Sequence, residues 1–113
     1  SMDELVALTD EVQTDEIEYR NKIVQFQFCE LTEVEEPKFT GVSDDMPEDE
    51  KMSVYQEIGS QRVIKMLEKA NEKNPDGPVI TAENWKALPT TLRYSISNKI
   101  LGVEEEAKES FRD

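Results

Sequence analysis

The sequence predicts a mainly α protein, a small helical domain of three to four helices, with a β-hairpin towards its N-terminal end. Three observations point there. The stretch from Pro47 to Lys73 repeats apolar residues at helical spacing. The segment EIEYRNKIVQFQF, residues 16–28, alternates apolar and polar residues instead. Between Asn74 and Thr91, proline, glycine and threonine fall where short helices start and stop.

Length bounds the architecture. The chain has 113 residues, the size of one domain, read here as residues 3–113 with a loosely held arm at 3–15 and an acidic segment at 104–113. Ser1-Met2 reads as the scar of a cleaved expression tag before a native start, so Ser1 is set aside. The arm, DELVALTDEVQTD, is acidic and poor in apolar groups; it reads as a loose segment or a short helix. In the hairpin, Ile17 and Tyr19 alternate with Glu16 and Glu18, and Val24, Phe26 and Phe28 alternate with Gln25 and Gln27. Arg20-Asn21-Lys22 is the turn, where Asn21 tolerates a left-handed backbone. A helix is the alternative, because Ile17, Val24, Phe28 and Leu31 also share a face; the alternation favours the hairpin.

Thr32 and Glu35 then have capping-box spacing, but Pro37 limits any helix that begins there. The stretch FTGVSDDMPEDE is a loop rich in turn formers and acids. The long helix follows. Asp44 or Asp45 is its expected cap, and Glu48, Asp49 and Glu50 sit near the positive end of its dipole. Met52, Tyr55, Gly59, Val63, Met66, Leu67 and Ala70 form the expected buried stripe, opposite Glu57, Gln61, Lys65, Glu68 and Glu72. Val54 and Ile64 lie off that stripe.

Asn74-Pro75-Asp76-Gly77 is a turn, with glycine expected to take a positive φ. Thr81 caps a short helix that Pro89 ends. Thr90 or Thr91 caps the last helix, which runs to about Leu101 with Gly102 as its stop. Leu92, Ile96, Ile100 and Val103 share one side of it, while Tyr94 and Leu101 lie on the other. Trp85, Leu88, Leu92 and Ile96 are expected to cluster at the corner between these two helices, so that the indole serves the core.

Composition narrows function. Formal net charge is −13, which repels nucleic acid and anionic membranes, so neither is an expected partner. No apolar run approaches the roughly 20 residues that span a bilayer. There is no histidine, hence no imidazole base or ligand, and the single Cys29 has no imidazole to activate it. Zinc spacing, a glycine-rich phosphate loop and an ordered calcium loop are all missing; SDDMPEDE matches a calcium loop in composition only. Neither cofactor nor metal nor catalysis is expected. One cysteine suits a reducing, cytosolic setting.

The order of motifs resembles the tail assembly chaperones of long-tailed, lambda-like bacteriophages. The matching pieces are FQFCELTEVEE, SVYQEIGSQRVIKMLEKA, DGPVITAENWKALP and LRYSISNKILGVEEEAKESF, covering roughly residues 23–111. The chain departs from that pattern at Pro37 and in the acidic loop 41–50. The resemblance implies a mainly helical, self-associating protein that coats the tape measure protein and recruits tail tube subunits. It implies work in the cytoplasm of the infected host and absence from the finished virion. It also implies a gene whose programmed frameshift gives a minor, longer product. Candidate protein contacts are Val54, Ile64, Tyr94 and Leu101 on helices, and Phe39, Met46 and Phe111 in other segments. An acidic inhibitor or DNA mimic, and a helical adaptor of another partner, are the competing readings of the same acidic, catalytically bare chain.

Overall fold

The computed structural model describes residues 1–38 and 42–112, with side chains as far as Gly102. Phe39 lies outside the described residues, and Phe111 lies beyond the described side chains. The elements run α1 (Met2–Leu8), β1 (Gln13–Tyr19), β2 (Lys22–Phe28), α2 (Glu48–Lys73), α3 (Ala82–Ala87) and α4 (Thr90–Arg112). The domain is mainly α with one antiparallel hairpin, the class expected.

The hairpin forms because its turn matches strand twist. Arg20 and Asn21 have φ of 51° and 66°, the pair of left-handed positions that a two-residue turn of this kind requires. Tyr19 pairs with Lys22, Ile17 with Val24, Asp15 with Phe26 and Gln13 with Phe28. This register puts Ile17, Tyr19, Val24, Phe26 and Phe28 on one face. That face meets the helices: the core joins Phe26 and Phe28 to Val63, Met66 and Leu67 of α2, Trp85 of α3, and Leu92, Ile96 and Ile100 of α4. The Phe26 and Phe28 rings stack with centroids 6.1 Å apart.

Alternation is broken at Gln27. It was expected to face outward with Gln25, yet it is 0% exposed. The 74–80 turn folds over that end of the sheet and supplies partners. The Gln27 amide donates to Asn71 Oδ1 at 3.2 Å and to the Asn74 carbonyl at 2.9 Å, and its oxygen accepts from Asn74 Nδ2 at 3.0 Å. Asn71 in turn donates to the Ile80 carbonyl. Gly77 is needed here for space rather than for a left-handed backbone. A Cβ there would collide with the side chains of Gln27 and Asn74.

The expected stripe of α2 is half right. Val63, Met66, Leu67 and Ala70 are buried, but Met52 and Tyr55 are 60% and 49% exposed, and Gly59 is exposed too. The physical reason is length. A helix of 26 residues runs about 39 Å, and only its C-terminal half lies against β2 and the core. The caps differ as well. Pro47 occupies the N-cap position without a side-chain hydrogen bond, its carbonyl accepting from Lys51 N–H. Asp44 and Asp45 sit in the turn before it, closed by Met46 N–H to the Ser43 carbonyl.

Thr81 caps α3 in a reciprocal box with Asn84, and the helix ends at Leu88 before Pro89 as expected. In α4, Thr90 is the first helical residue rather than the cap; the Pro89 carbonyl accepts from Arg93 N–H. Gly102 does not stop the helix, which continues to Arg112. An interior glycine costs only about 1 kcal/mol, and the Glu, Ala and Lys that follow are strong helix formers. Trp85, Leu92 and Ile96 form the expected corner cluster, with Leu88 packed against it. Val103 lies beyond the described side chains. At the other end, Ser1 caps α1 through a box with Glu4, and no residue of α1 is buried.

A charged clamp ties the segment after β2 to α2. Thr32–Glu36 makes a single turn, as the capping-box spacing before Pro37 suggests. Its carboxylate at Glu35 accepts from Thr32 N–H and Oγ1, and from Lys69 Nζ at 2.8 Å. Lys69 also reaches the Glu30 carbonyl and lies 3.5 Å from Asp10, which pairs equally with Lys73. Arg62 Nε contacts both oxygens of Glu36. Lys69, followed by the Thr32 hydrogen bonds, holds the Glu35 pKa at about 2 against an ordinary 4.5. A depressed carboxylate stabilises the fold above pH 4.5, and that contribution fades as pH falls towards 2. Glu35→Gln should therefore flatten the fall in urea midpoint across that window. Parallel profiles for the variant and the parent would contradict the clamp.

Candidate protein-binding groove

A groove of about 460 Å³ opens between the N-terminal half of α2 and α4. Helical spacing brings its walls together. Ser53, Gln56, Ser60 and Val63 recur on one face of α2, and Thr90, Arg93, Tyr94, Ser97 and Leu101 on one face of α4. Gly59 and Ser60 on one wall and Ser97 on the other are small, so the facing helices leave space instead of interlocking. Gly59 has nothing within 4 Å of the place its Cβ would take.

Trp85, 2% exposed, lines the inner end beside Val63. Its Nε1 and the Nε of Arg93 have no hydrogen-bond partner among the described residues, a costly state for buried donors. The Arg93 guanidinium does reach Thr90 Oγ1 at 3.4 Å. The groove wall carries Arg93 and Glu57, and Arg62, whose charge Glu36 already balances.

The candidate contacts separate clearly. Tyr94 and Leu101, 59% and 45% exposed, are brought together in this groove. Ile64 instead packs against the core. Val54 is half-buried on α2 and is not part of the groove lining. Met46 is half-buried in the loop before α2, its sulfur accepting from Ser43 N–H. Gly59 and Arg93 were not singled out as contacts, and Trp85 was assigned to the core. No apolar periodicity marks the α2 wall, because its lining there is serine, glutamine and glycine.

Cys29 is buried and free; burial raises its pKa, with Lys69 and Lys73 pulling the other way without prevailing. A thiol so held is a poor nucleophile. Among the described residues, no three acids or cysteines converge as a metal site, and no helix is long and apolar enough to cross a membrane. Comparison of the chain with protein-family models, with curated proteins and with solved structures finds no match in any of the three.

Proposed function

We propose that the protein is a tail assembly chaperone of a long-tailed bacteriophage, a binding protein without catalytic activity, whose α2–α4 groove receives apolar helical stretches of the tape measure protein. One observation supports this above the others: Tyr94 and Leu101 stand exposed over a cleft of about 460 Å³ between two helices, the kind of groove in which a guest helix lays its apolar face. Acidic residues outside the cleft keep the loaded complex soluble. On this reading it acts in the cytoplasm of the infected host, delivers tube subunits to the coated tape measure, and stays out of the finished virion.

Co-expression with a tape measure fragment is the test. The parent chain should hold the fragment in the soluble fraction. Tyr94→Asp combined with Leu101→Asp should weaken its capture about tenfold or more, the cost of losing anchor side chains. Both positions are exposed, so far-UV circular dichroism of the variant should be unchanged. Equal solubilisation by parent and variant would rule the groove out.

A further inference from the structure

We infer that the helix received by the α2–α4 groove carries a carboxylate beside its apolar ridge, and that Arg93 pairs with it. The inference rests on the groove being a helix-binding site, as proposed above, and adds which helices it selects. Lys51, Arg62, Lys69 and Arg93 are the basic side chains buried or half-buried among the described residues. The first three face acids: Lys51 pairs with Glu48, Arg62 with Glu36, and Lys69 with Glu35 and Asp10. Arg93 has no acidic partner among the described residues. A partly dewatered cation without a counter-ion is costly. The chain has 26 acidic residues against 13 basic ones, so acids are plentiful, yet this cation in the groove wall is left without one.

The guanidinium is closed on one side and open at its end. Nε is walled in. Nη2 leans on Thr90 Oγ1 at 3.4 Å, longer than an ordinary hydrogen bond. Nη1 is neither walled in nor bonded to any described residue. A carboxylate therefore meets the fork end-on, across Nη1 and Nη2, with both of its oxygens used. Tyr94 and Leu101 stand exposed on the same wall and supply the apolar contact. At 1.5 Å per residue, Leu101 lies about 12 Å from Arg93 along α4. A guest helix lying along α4 thus carries its acid about two turns from the apolar side chain that covers Leu101.

The facing wall fixes the side on which that acid lies. Glu57 is the acid of the described groove lining, and its carboxylate accepts from Gln61 on its own helix. It repels an acid on the α2 side and leaves the α4 side for it. A polyanion is turned away by the net charge of −13, whereas one carboxylate set in an apolar ridge brings its own contact area.

Helical peptides that share one leucine ridge and differ at a single flanking position test this. That position, about two turns from a ridge leucine, is Glu, Gln or Lys. Calorimetric titration at low salt should show the parent chain binding the Glu peptide about tenfold more tightly than the Gln peptide, and the Lys peptide most weakly. Added salt should narrow the gap between Glu and Gln. Arg93→Gln should erase the ranking while leaving the affinity for the Gln peptide as it was. Arg93→Glu should invert it, so that the Lys peptide binds best. Equal binding of the Glu and Lys peptides by the parent, a measurement that needs no variant to fold, would overturn the carboxylate contact. So would a ranking that survives Arg93→Gln. The groove reading itself fails on different results: a parent that binds none of the peptides, or a Tyr94→Asp, Leu101→Asp chain that binds them as the parent does.

Discussion

Replacing Trp85 with alanine should remove about 3–5 kcal/mol of stability, the usual cost of emptying a large aromatic site. A domain of this size has about 5–15 kcal/mol in total, so the variant should sit near or below half-folded in mild denaturant. Trp85 is 2% exposed and belongs to the core that joins α2, α3, α4 and the hairpin. Deleting it leaves a hole at the corner where Pro89 turns the chain, and that corner cannot collapse without moving α4. Trp85→Phe is the informative contrast. The indole N–H has no acceptor among the described residues, so phenylalanine gives up volume but no hydrogen bond. Its cost should stay near about 1–2 kcal/mol. Urea unfolding followed by circular dichroism reads both, because the fluorophore itself is removed. A loss below about 1 kcal/mol for the alanine variant would mean that the indole is not core.

The same residue shows what periodicity can and cannot reveal. That Trp85 would cluster with Leu92 and Ile96 followed from spacing, because residues on one helical face must meet whatever lies beneath them. Its place at the inner end of a groove did not follow, since that depends on how far α2 stands from α4. The hairpin was legible for a local reason: Arg20 and Asn21 turn the chain, and period two carries through both strands. The failures are non-local. Met52 and Tyr55 share a face with Val63 and Met66, but spacing around a helix says nothing about where along its axis the core stops. Gly102 looked like a stop because glycine ends many helices; here the residues after it favour helix more than one glycine opposes it. Tyr94 and Leu101 were recognisable because they fall opposite Leu92, Ile96 and Ile100. Gly59 and Ser97 were not, because a groove wall made of small residues has no hydrophobic signature. A cleft exists where side chains are missing, and a sequence registers most clearly the ones that are large.

Gln27 and Gln25 offer the sharpest test of the fold, because the alternation treats them alike and the structure does not. Gln27→Leu should cost about 2–4 kcal/mol. Leucine fills much of the same space, so the loss comes from the groups left behind. Asn74 would lose the acceptor for its amide and a donor to its carbonyl, and Asn71 would lose the donor to its Oδ1. Each buried polar group stranded in this way costs about 1–3 kcal/mol, and the three share a network, so the losses do not simply add. Gln25→Leu removes no bond of this kind and should stay within about 0.5 kcal/mol. Hydrogen exchange adds a local signature: amides of the 74–80 turn and of Cys29, whose N–H meets the Met66 carbonyl, should lose protection in the first variant only. The turn is held down by this amide, by the Asn71 side chain that donates to the Ile80 carbonyl, and by the room that Gly77 leaves. Without the amide, the sheet loses its side-chain hydrogen bonds to Asn71 and Asn74. Equal losses at positions 25 and 27 would place both side chains in water, and with them the whole outer face of the hairpin.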